Sequence, residues 1–148
     1  MRRIASAVWV GLISLALATS ITAAAASGGS KVERGKYLVE QVGMCGDCHT
    51  PHNEKGEPVL EKNLQGTILP FKPAVPIPVW ADKSPNIVGL PGWEDKDAIK
   101  FLMTGIAYND LPARPPMPQY RFNQEDATAI LAYLRSLAPA QAGGHPRK

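Results

Sequence analysis

The hydrophobic positions of this chain repeat with a helical period in three places. The first stretch covers residues 31–42, the second opens at Trp93 and runs to Ile106, and the third follows Asn123, a favourable helix N-cap. The predicted buried stripes are, in chain order, Val32, Gly35, Leu38, Val39 and Val42; Ile99, Leu102, Met103 and Ile106; and Ala127, Ile130, Leu131, Leu134 and Leu137. No stretch alternates convincingly as a strand would, so the pattern favours an all-α domain.

Two further signals refine this picture. Because glycine lowers helix propensity, Gly35 within the first helix predicts a close crossing by another helix. Between the first two helices, residues 50–91 show no regular period and contain eight prolines. This middle segment is expected to form an ordered loop, and a loop of that length is unusual unless it wraps around something.

The N-terminus has the three-part layout of a secretory signal. Arg2 and Arg3 precede an apolar run from Ala7 to Leu17, and small residues follow at Ala23–Ala26. The expected organisation is a signal peptide over residues 1–26, a domain over 27–139 and a flexible tail over 140–148. An uncleaved anchor is the alternative, because no charge occurs between Arg3 and Lys31.

The charge balance excludes some partners. The formal net charge of the whole chain is +3, and removal of Arg2 and Arg3 with the signal would leave +1. No cluster of lysines and arginines with interleaved aromatics is present, so nothing favours nucleic-acid binding. The 122 residues from Ser27 onward suffice for one domain with a single core.

The stretch Cys45-Gly46-Asp47-Cys48-His49 carries the clearest chemistry. It is a Cys-x-x-Cys-His run, the attachment sequence for covalent c-type haem, and it uses both cysteines of the chain. Cys45 and Cys48 would form thioethers with the haem vinyl groups, and His49 would be the proximal iron ligand. A haem is a large apolar object, and wrapping it would order the proline-rich middle segment.

Three other interpretations of the two cysteines compete with haem. A zinc site from Cys45, Cys48, His49 and His52 would crowd its ligands into eight residues, whereas zinc sites usually draw ligand pairs from separate segments. A thioredoxin-like redox pair lacks the surrounding βαβ pattern. A plain disulfide suits an exported protein but does not account for the adjacent His49.

A sixth iron ligand would come from the four methionines and three histidines of the chain. Four of these lie in the predicted signal, beside the proximal ligand or in the tail: Met1, Met44, His52 and His145. Met117 stands among prolines in Arg114–Pro118, a stiff segment that can hold a thioether at a small entropy cost. Met117 is the predicted distal ligand, and the alternatives are Met103, which lies on a helical stripe, or an open site.

Several segments resemble the bacterial class I, monohaem c-type cytochromes over about residues 32–137. Four segments match, in chain order. They are the haem motif with Thr50-Pro51 after it; Pro85-Asn86-Ile87 followed by Trp93-Glu94-Asp95; Pro116-Met117-Pro118-Gln119-Tyr120; and Asp126–Leu134. In this family the first and last helices cross at a glycine and an aromatic, which would here be Gly35 and Tyr133. The most similar variants are those that serve dehydrogenases. The chain departs from them in its proline-rich stretch Phe71–Trp80.

The resemblance implies an all-α class I cytochrome c fold with three or more helices and long Pro-rich loops around one covalent haem c. It implies a periplasmic electron carrier, not an enzyme, with Cys45 and Cys48 as haem anchors and His49 and Met117 as axial ligands. Its partners would be redox proteins, with a periplasmic or membrane dehydrogenase as donor and an oxidase or reductase as acceptor. The alternatives are a fixed cytochrome subunit of a dehydrogenase complex, or a haem enzyme or gas sensor with an open distal site.

We predict that the exported protein begins between Ala25 and Ser27, because small residues at Ala23–Ala26 suit a signal peptidase. Peptide mass analysis of the periplasmic fraction would identify this new N-terminus. Recovery of intact residues 1–31 from the membrane fraction would instead support an anchored protein.

Overall fold

A computed structural model of the protein describes residues 22–138, with side chains from Ser30 onwards. All of the candidate site residues belong to one compact unit, which begins at Lys31. The predicted signal peptide falls outside the described residues except for the backbone of residues 22–26, as does the predicted tail, and both stay predictions. None of the helices in the described range has the length and hydropathy of a membrane span.

Regular secondary structure within residues 22–138 is mainly helical. The elements are α1, Thr22–Tyr37, which continues as a π-helical turn over Leu38–Val42; α2, Cys45–His49; a 3₁₀ turn, Leu60–Lys62; β1, Thr67–Ile68; β2, Lys83–Ser84; α3, Asp95–Thr104; and α4, Gln124–Ser136. β1 and β2 form an antiparallel pair in which Thr67 lies opposite Ser84. This pair qualifies the all-α prediction, and strands of two residues are too short to show a period of two in the sequence.

The three predicted helices are present, but two of their starts differ: the first helix begins at Thr22 and not at residue 31, and α3 begins at Asp95 and not at Trp93. Asn123 is confirmed as the N-cap of α4, because its side chain accepts a hydrogen bond of 2.8 Å from the backbone N–H of Asp126. α3 ends at Gly105, whose φ of 73° lies in the left-handed region, so Ile106 falls beyond the helix. The burial predicted for Val42 is wrong, since it is 47% exposed. The π-helical turn has more residues per turn, which rotates Val42 away from the α-helical stripe.

The core lies where the end of the first helix meets α4. Its buried members from these two elements are Leu38, Val39, Ala129, Ile130, Tyr133 and Leu134. Leu64, from the proline-rich middle segment, joins them with only 1% of its surface exposed. The backbone N–H of Leu64 donates to Thr50 Oγ1 at 3.1 Å, and that hydroxyl donates to Asn63 Oδ1 at 2.9 Å. These bonds anchor the middle segment directly after the haem motif.

Gly35 is confirmed as the point where α1 crosses α4 closely. A Cβ built on Gly35 would lie 2.8 Å from the Cβ of Tyr133 and would overlap the backbone carbonyl of Ala129. Any larger residue would therefore force the two helices apart. The crossing partner, Tyr133, donates a hydrogen bond of 2.5 Å to Glu40 Oε1.

We predict that Gly35→Ala lowers the free energy of unfolding by about 1–3 kcal/mol, because the added methyl overpacks a helix crossing. The sign of this change in unfolding free energy distinguishes a close crossing from an open helical position, where Gly→Ala would stabilise the protein by about 1 kcal/mol. Denaturant unfolding of the haem-loaded protein would measure it, with exposed Lys36→Ala as the control, expected within about 0.5 kcal/mol of wild type. A stabilised Gly35→Ala variant would contradict the close crossing.

Candidate functional site

The two cysteines lie together on the short helix α2 and form no disulfide. Met44, the residue before α2, has a φ of 45°, a left-handed conformation that is uncommon for a side chain other than glycine. Burial raises the pKa of Cys45 to about 11, and burial together with the charge of Asp47 raises the pKa of Cys48. Both thiols are therefore protonated at neutral pH, in contrast to the lowered thiol pKa of a reactive Cys-x-x-Cys redox pair.

The structure does not assemble the zinc site considered from the sequence. Among the described residues, no group of three or more histidine, cysteine, aspartate and glutamate side chains is placed to hold a metal ion. His52 instead belongs to a small backbone bridge with Pro58, and its Nδ1 makes no hydrogen bond within residues 22–138.

His49 is a buried imidazole with one nitrogen already engaged. It is 7% exposed, and its Nδ1 donates a hydrogen bond of 2.8 Å to the carbonyl oxygen of Pro85. Because a carbonyl can only accept, the proton lies on Nδ1 and Nε2 keeps its lone pair. Burial lowers the pKa of His49 although the bond to Pro85 acts in the opposite direction, so the ring is neutral at pH 7. A neutral imidazole with its Nδ1 bonded to a carbonyl is prepared for metal ligation through Nε2.

Gly66 allows the Pro85 carbonyl, which accepts the His49 hydrogen bond, to lie close to His49. Its N–H donates to the carbonyl oxygen of His49 at 2.7 Å, and its φ of 84° lies in the left-handed region. A Cβ on Gly66 would lie 2.6 Å from the carbonyl carbon of Pro85 and 2.7 Å from the nitrogen of Asn86. Only glycine lets the two loop strands approach closely enough for the His49–Pro85 bond.

Met117 lies half-buried in an irregular segment that is attached to the proline-rich middle segment. The guanidinium of Arg114 donates to the carbonyl oxygens of Val79 at 3.0 Å and Trp80 at 2.5 Å. The N–H of Ala81 donates to the carbonyl oxygen of Pro115 at 2.8 Å. Backbone groups of residues 79–81 therefore hold the N-terminal side of the Met117 segment.

Further hydrogen bonds attach this segment to the rest of the domain. The N–H of Ala113 donates to the carbonyl oxygen of Gly105, at the end of α3, at 2.8 Å. The hydroxyl of Tyr120 donates to the carbonyl oxygen of Gly43, two residues before Cys45, at 2.7 Å. The structure thus brings the Met117 segment to the turn that leads into the haem motif. Met103, the alternative ligand, lies half-buried on α3, which packs against α4.

The residues at this site fit a covalently attached haem. Two thiols and an imidazole with a free Nε2 stand on one helix of five residues, which is the donor set such a haem uses. Trp80 also offers a buried indole N–H that makes no hydrogen bond within the described residues. A carboxylate, such as those at the edge of a haem, would satisfy this donor, and the Arg114 guanidinium bonded to the Trp80 carbonyl would favour that charge.

Sequence reasoning from the residues alone missed Gly66, Leu64, Trp80 and the hydroxyl of Tyr120. Gly66 and the tyrosine act through contacts to residues far away in the chain, for which the sequence gives no spacing signal. Trp80 could have been noticed as an aromatic with a polar N–H within a proline-rich stretch.

Two comparisons with known proteins, one with family models and one with individual proteins, agree on the same family. The family model described as Cytochrome c matches residues 32–138. The fructose dehydrogenase cytochrome subunit of Gluconobacter japonicus is 33% identical over 119 residues, which covers 74% of this chain and 22% of that protein. The gluconate 2-dehydrogenase cytochrome c subunit of Pantoea cypripedii is 32% identical over 118 residues, with 74% and 26% covered.

A diheme cytochrome c-type protein of Cereibacter sphaeroides is 34% identical over 109 residues, covering 70% of this chain and 34% of that protein. The chain therefore spans only 22% to 34% of the length of these relatives. Its two cysteines allow one Cys-x-x-Cys-His motif.

We predict that replacing Cys45 and Cys48 with serine yields an exported chain without covalent haem that is largely unfolded. Among the side chains of residues 50–91, all of them described, only Thr50, Leu64 and Leu69 are buried, so this segment has little apolar core of its own. Haem-stained denaturing gels and circular dichroism would measure both effects. A matched alanine pair should behave the same way, which separates loss of haem from added polarity. A cooperative, folded apoprotein would contradict the prediction.

Proposed function

The chain belongs to the cytochrome c family, and from this premise we propose that it is a periplasmic electron carrier of the class I fold with one covalent haem c. The observation that carries the proposal is the state of His49. Its imidazole is buried, neutral and oriented through Nδ1 by Pro85, and it directly follows the second cysteine of the attachment motif. That arrangement leaves the lone pair of Nε2 for iron.

When bound, haem c supplies an iron centre that exchanges one electron. In this proposal Cys45 and Cys48 would hold the haem covalently, and the side chains of His49 and Met117 would bind its iron. The hydrogen bonds of Arg114, Ala81 and Ala113 restrain the Met117 segment before any ligand is bound, which reduces the entropy lost on ligation. With both side chains bound, the iron would have no open position for a substrate, so we propose a carrier and not an enzyme.

Location and domain organisation follow the same proposal. A signal peptide over residues 1–26 would direct the chain to the periplasm, where the domain of residues 27–139 would acquire its haem, with residues 140–148 as a tail. Trp80 and Arg114 are the residues that we assign to the carboxylates of the haem edge.

We propose a dehydrogenase as the electron donor, because relatives that match over most of this chain are named as cytochrome subunits of fructose and gluconate dehydrogenases. An oxidase or reductase would accept the electron. A fixed subunit of such a dehydrogenase complex is the second candidate, which the same names favour. Co-purification from native membranes at low and high salt distinguishes a free carrier from a subunit.

We predict that Met117→Ala removes the near-infrared sulfur-to-iron charge-transfer band of the ferric protein, because the thioether ligand is lost. The reduction potential should fall, since a thioether ligand raises it, and the ferrous iron should bind carbon monoxide. Absorption spectra and a redox titration would measure these effects.

Met103→Leu is the matched control, because a volume-conserving change of a half-buried residue on α3 typically costs less than about 1.5 kcal/mol. The band, the potential and the resistance to carbon monoxide should stay as in wild type. If wild-type protein binds carbon monoxide readily and Met117→Ala changes nothing, the distal site is open, and a sensor or an enzyme replaces the carrier.

A further inference from the structure

The hydroxyl of Tyr120 links two parts of the candidate site that are distant in sequence. It donates to the carbonyl oxygen of Gly43 at 2.7 Å, across a separation of 77 residues. Tyr120 follows Met117 by three positions, and Gly43 precedes Cys45 by two. A single hydrogen bond therefore joins the candidate distal-ligand segment to the turn that starts the haem motif.

The surroundings of Tyr120 orient its ring for this contact. The ring stacks on Phe122 with a centroid distance of 5.0 Å and an interplanar angle of 24°. At Gly43, a Cβ would lie 3.6 Å from the Tyr120 hydroxyl oxygen and 3.3 Å from the sulfur of Cys45. The tyrosine hydroxyl thus lies near the first cysteine of the motif, at a distance that is ordinary van der Waals contact for a Cβ at Gly43.

The hydroxyl stays a donor throughout the physiological range. Burial, with smaller contributions from Cys45, Cys48 and Asp47, raises the pKa of Tyr120 to about 12. The attachments at Ala113, Arg114 and Pro115 precede Met117. After Met117, the N–H of Phe122 donates to the carbonyl oxygen of Leu102 on α3 at 3.2 Å, and Tyr120 adds a side-chain bond closer to the methionine. Tyr120 therefore restrains the segment on the opposite side of the methionine, and the two sides together limit how far Met117 can move.

We infer that Tyr120 is a positioning residue for the distal ligand, whose hydrogen bond to Gly43 biases the iron toward the Met117-bound form over an open form. This inference rests on the proposed function, because it assumes that Met117 binds iron. A net protein hydrogen bond changes an equilibrium by roughly two- to tenfold. Loss of the hydroxyl should therefore make the distal position more accessible by a factor in that range.

The test is an imidazole titration of the ferric, haem-loaded full chain. Loss of the sulfur-to-iron band measures how much imidazole has replaced the methionine. Tyr120→Phe keeps the ring and removes only the hydroxyl. We expect its apparent dissociation constant for imidazole to fall about two- to tenfold. Tyr37→Phe is the matched control, because Tyr37 is 53% exposed and its ring contacts Arg34. Its imidazole affinity should equal that of wild type.

A second control separates positioning from general stability. Val32→Ala removes two methyl groups at the edge of the core, outside the Met117 segment, and should lower the denaturant midpoint. If Tyr120 acts only through overall stability, Val32→Ala and Tyr120→Phe will change imidazole affinity together. If Tyr120 positions Met117, only Tyr120→Phe will change it, whatever the two denaturant midpoints are.

The outcomes also distinguish this inference from the function on which it rests. If Met117→Ala binds imidazole much more tightly than wild type while Tyr120→Phe matches wild type, Met117 is the ligand and the inference about Tyr120 is overturned. If Met117→Ala, Tyr120→Phe and wild type all bind imidazole alike, the axial role of Met117 fails, and the inference fails with it.

Discussion

The hydrogen bond from His49 to the carbonyl of Pro85 is the constraint on which the rest of the site depends. It crosses 36 residues and determines which nitrogen of the imidazole carries the proton. The bond needs Pro85 to lie against the end of α2, and Gly66 permits this because any side chain there would collide with the Pro85 backbone. The short pair of Thr67 with Ser84 then holds the two ends of the proline-rich stretch together. Together these contacts keep the imidazole of His49 in one orientation.

A second constraint is that the middle segment is long but contributes little to the core. Its order depends on backbone hydrogen bonds, because prolines remove donors and leave carbonyl oxygens to be satisfied by other groups. Arg114 supplies two such donors to Val79 and Trp80, and Ala81 returns a bond to Pro115. The proline-rich segment and the Met117 segment thus support each other, so the stretch Phe71–Trp80 bears directly on how the candidate distal ligand is held.

The sequence predicted those features that have a local signal. The α4 stripe from Ala127 to Leu134, the N-cap at Asn123 and the crossing at Gly35 follow from spacing or from the chemistry of one residue, and the structure confirms them. The α3 stripe is only half-buried, and the buried residue of that helix is Ala98, which the period did not select. Features that depend on partners far along the chain were not predictable in this way. Leu64 becomes a core residue only because Thr50 and Asn63 hold its backbone in place. The π-helical turn, which exposes Val42, has no distinctive pattern either, since its residues fit an ordinary helix equally well.

The two candidate axial ligands differ in how they are held. This difference indicates which of them would be released from iron more easily. His49 is adjacent to Cys48, so covalent attachment of the haem through that cysteine would keep the imidazole at a high effective concentration near iron. Met117 stands 68 positions further along and depends on hydrogen bonds at both ends of its segment. Each of those bonds contributes only modestly to stability in water. Ligand exchange, if the protein undergoes it, should therefore begin with release of Met117, while the His49 side stays in place because its oriented ring is both tethered and buried.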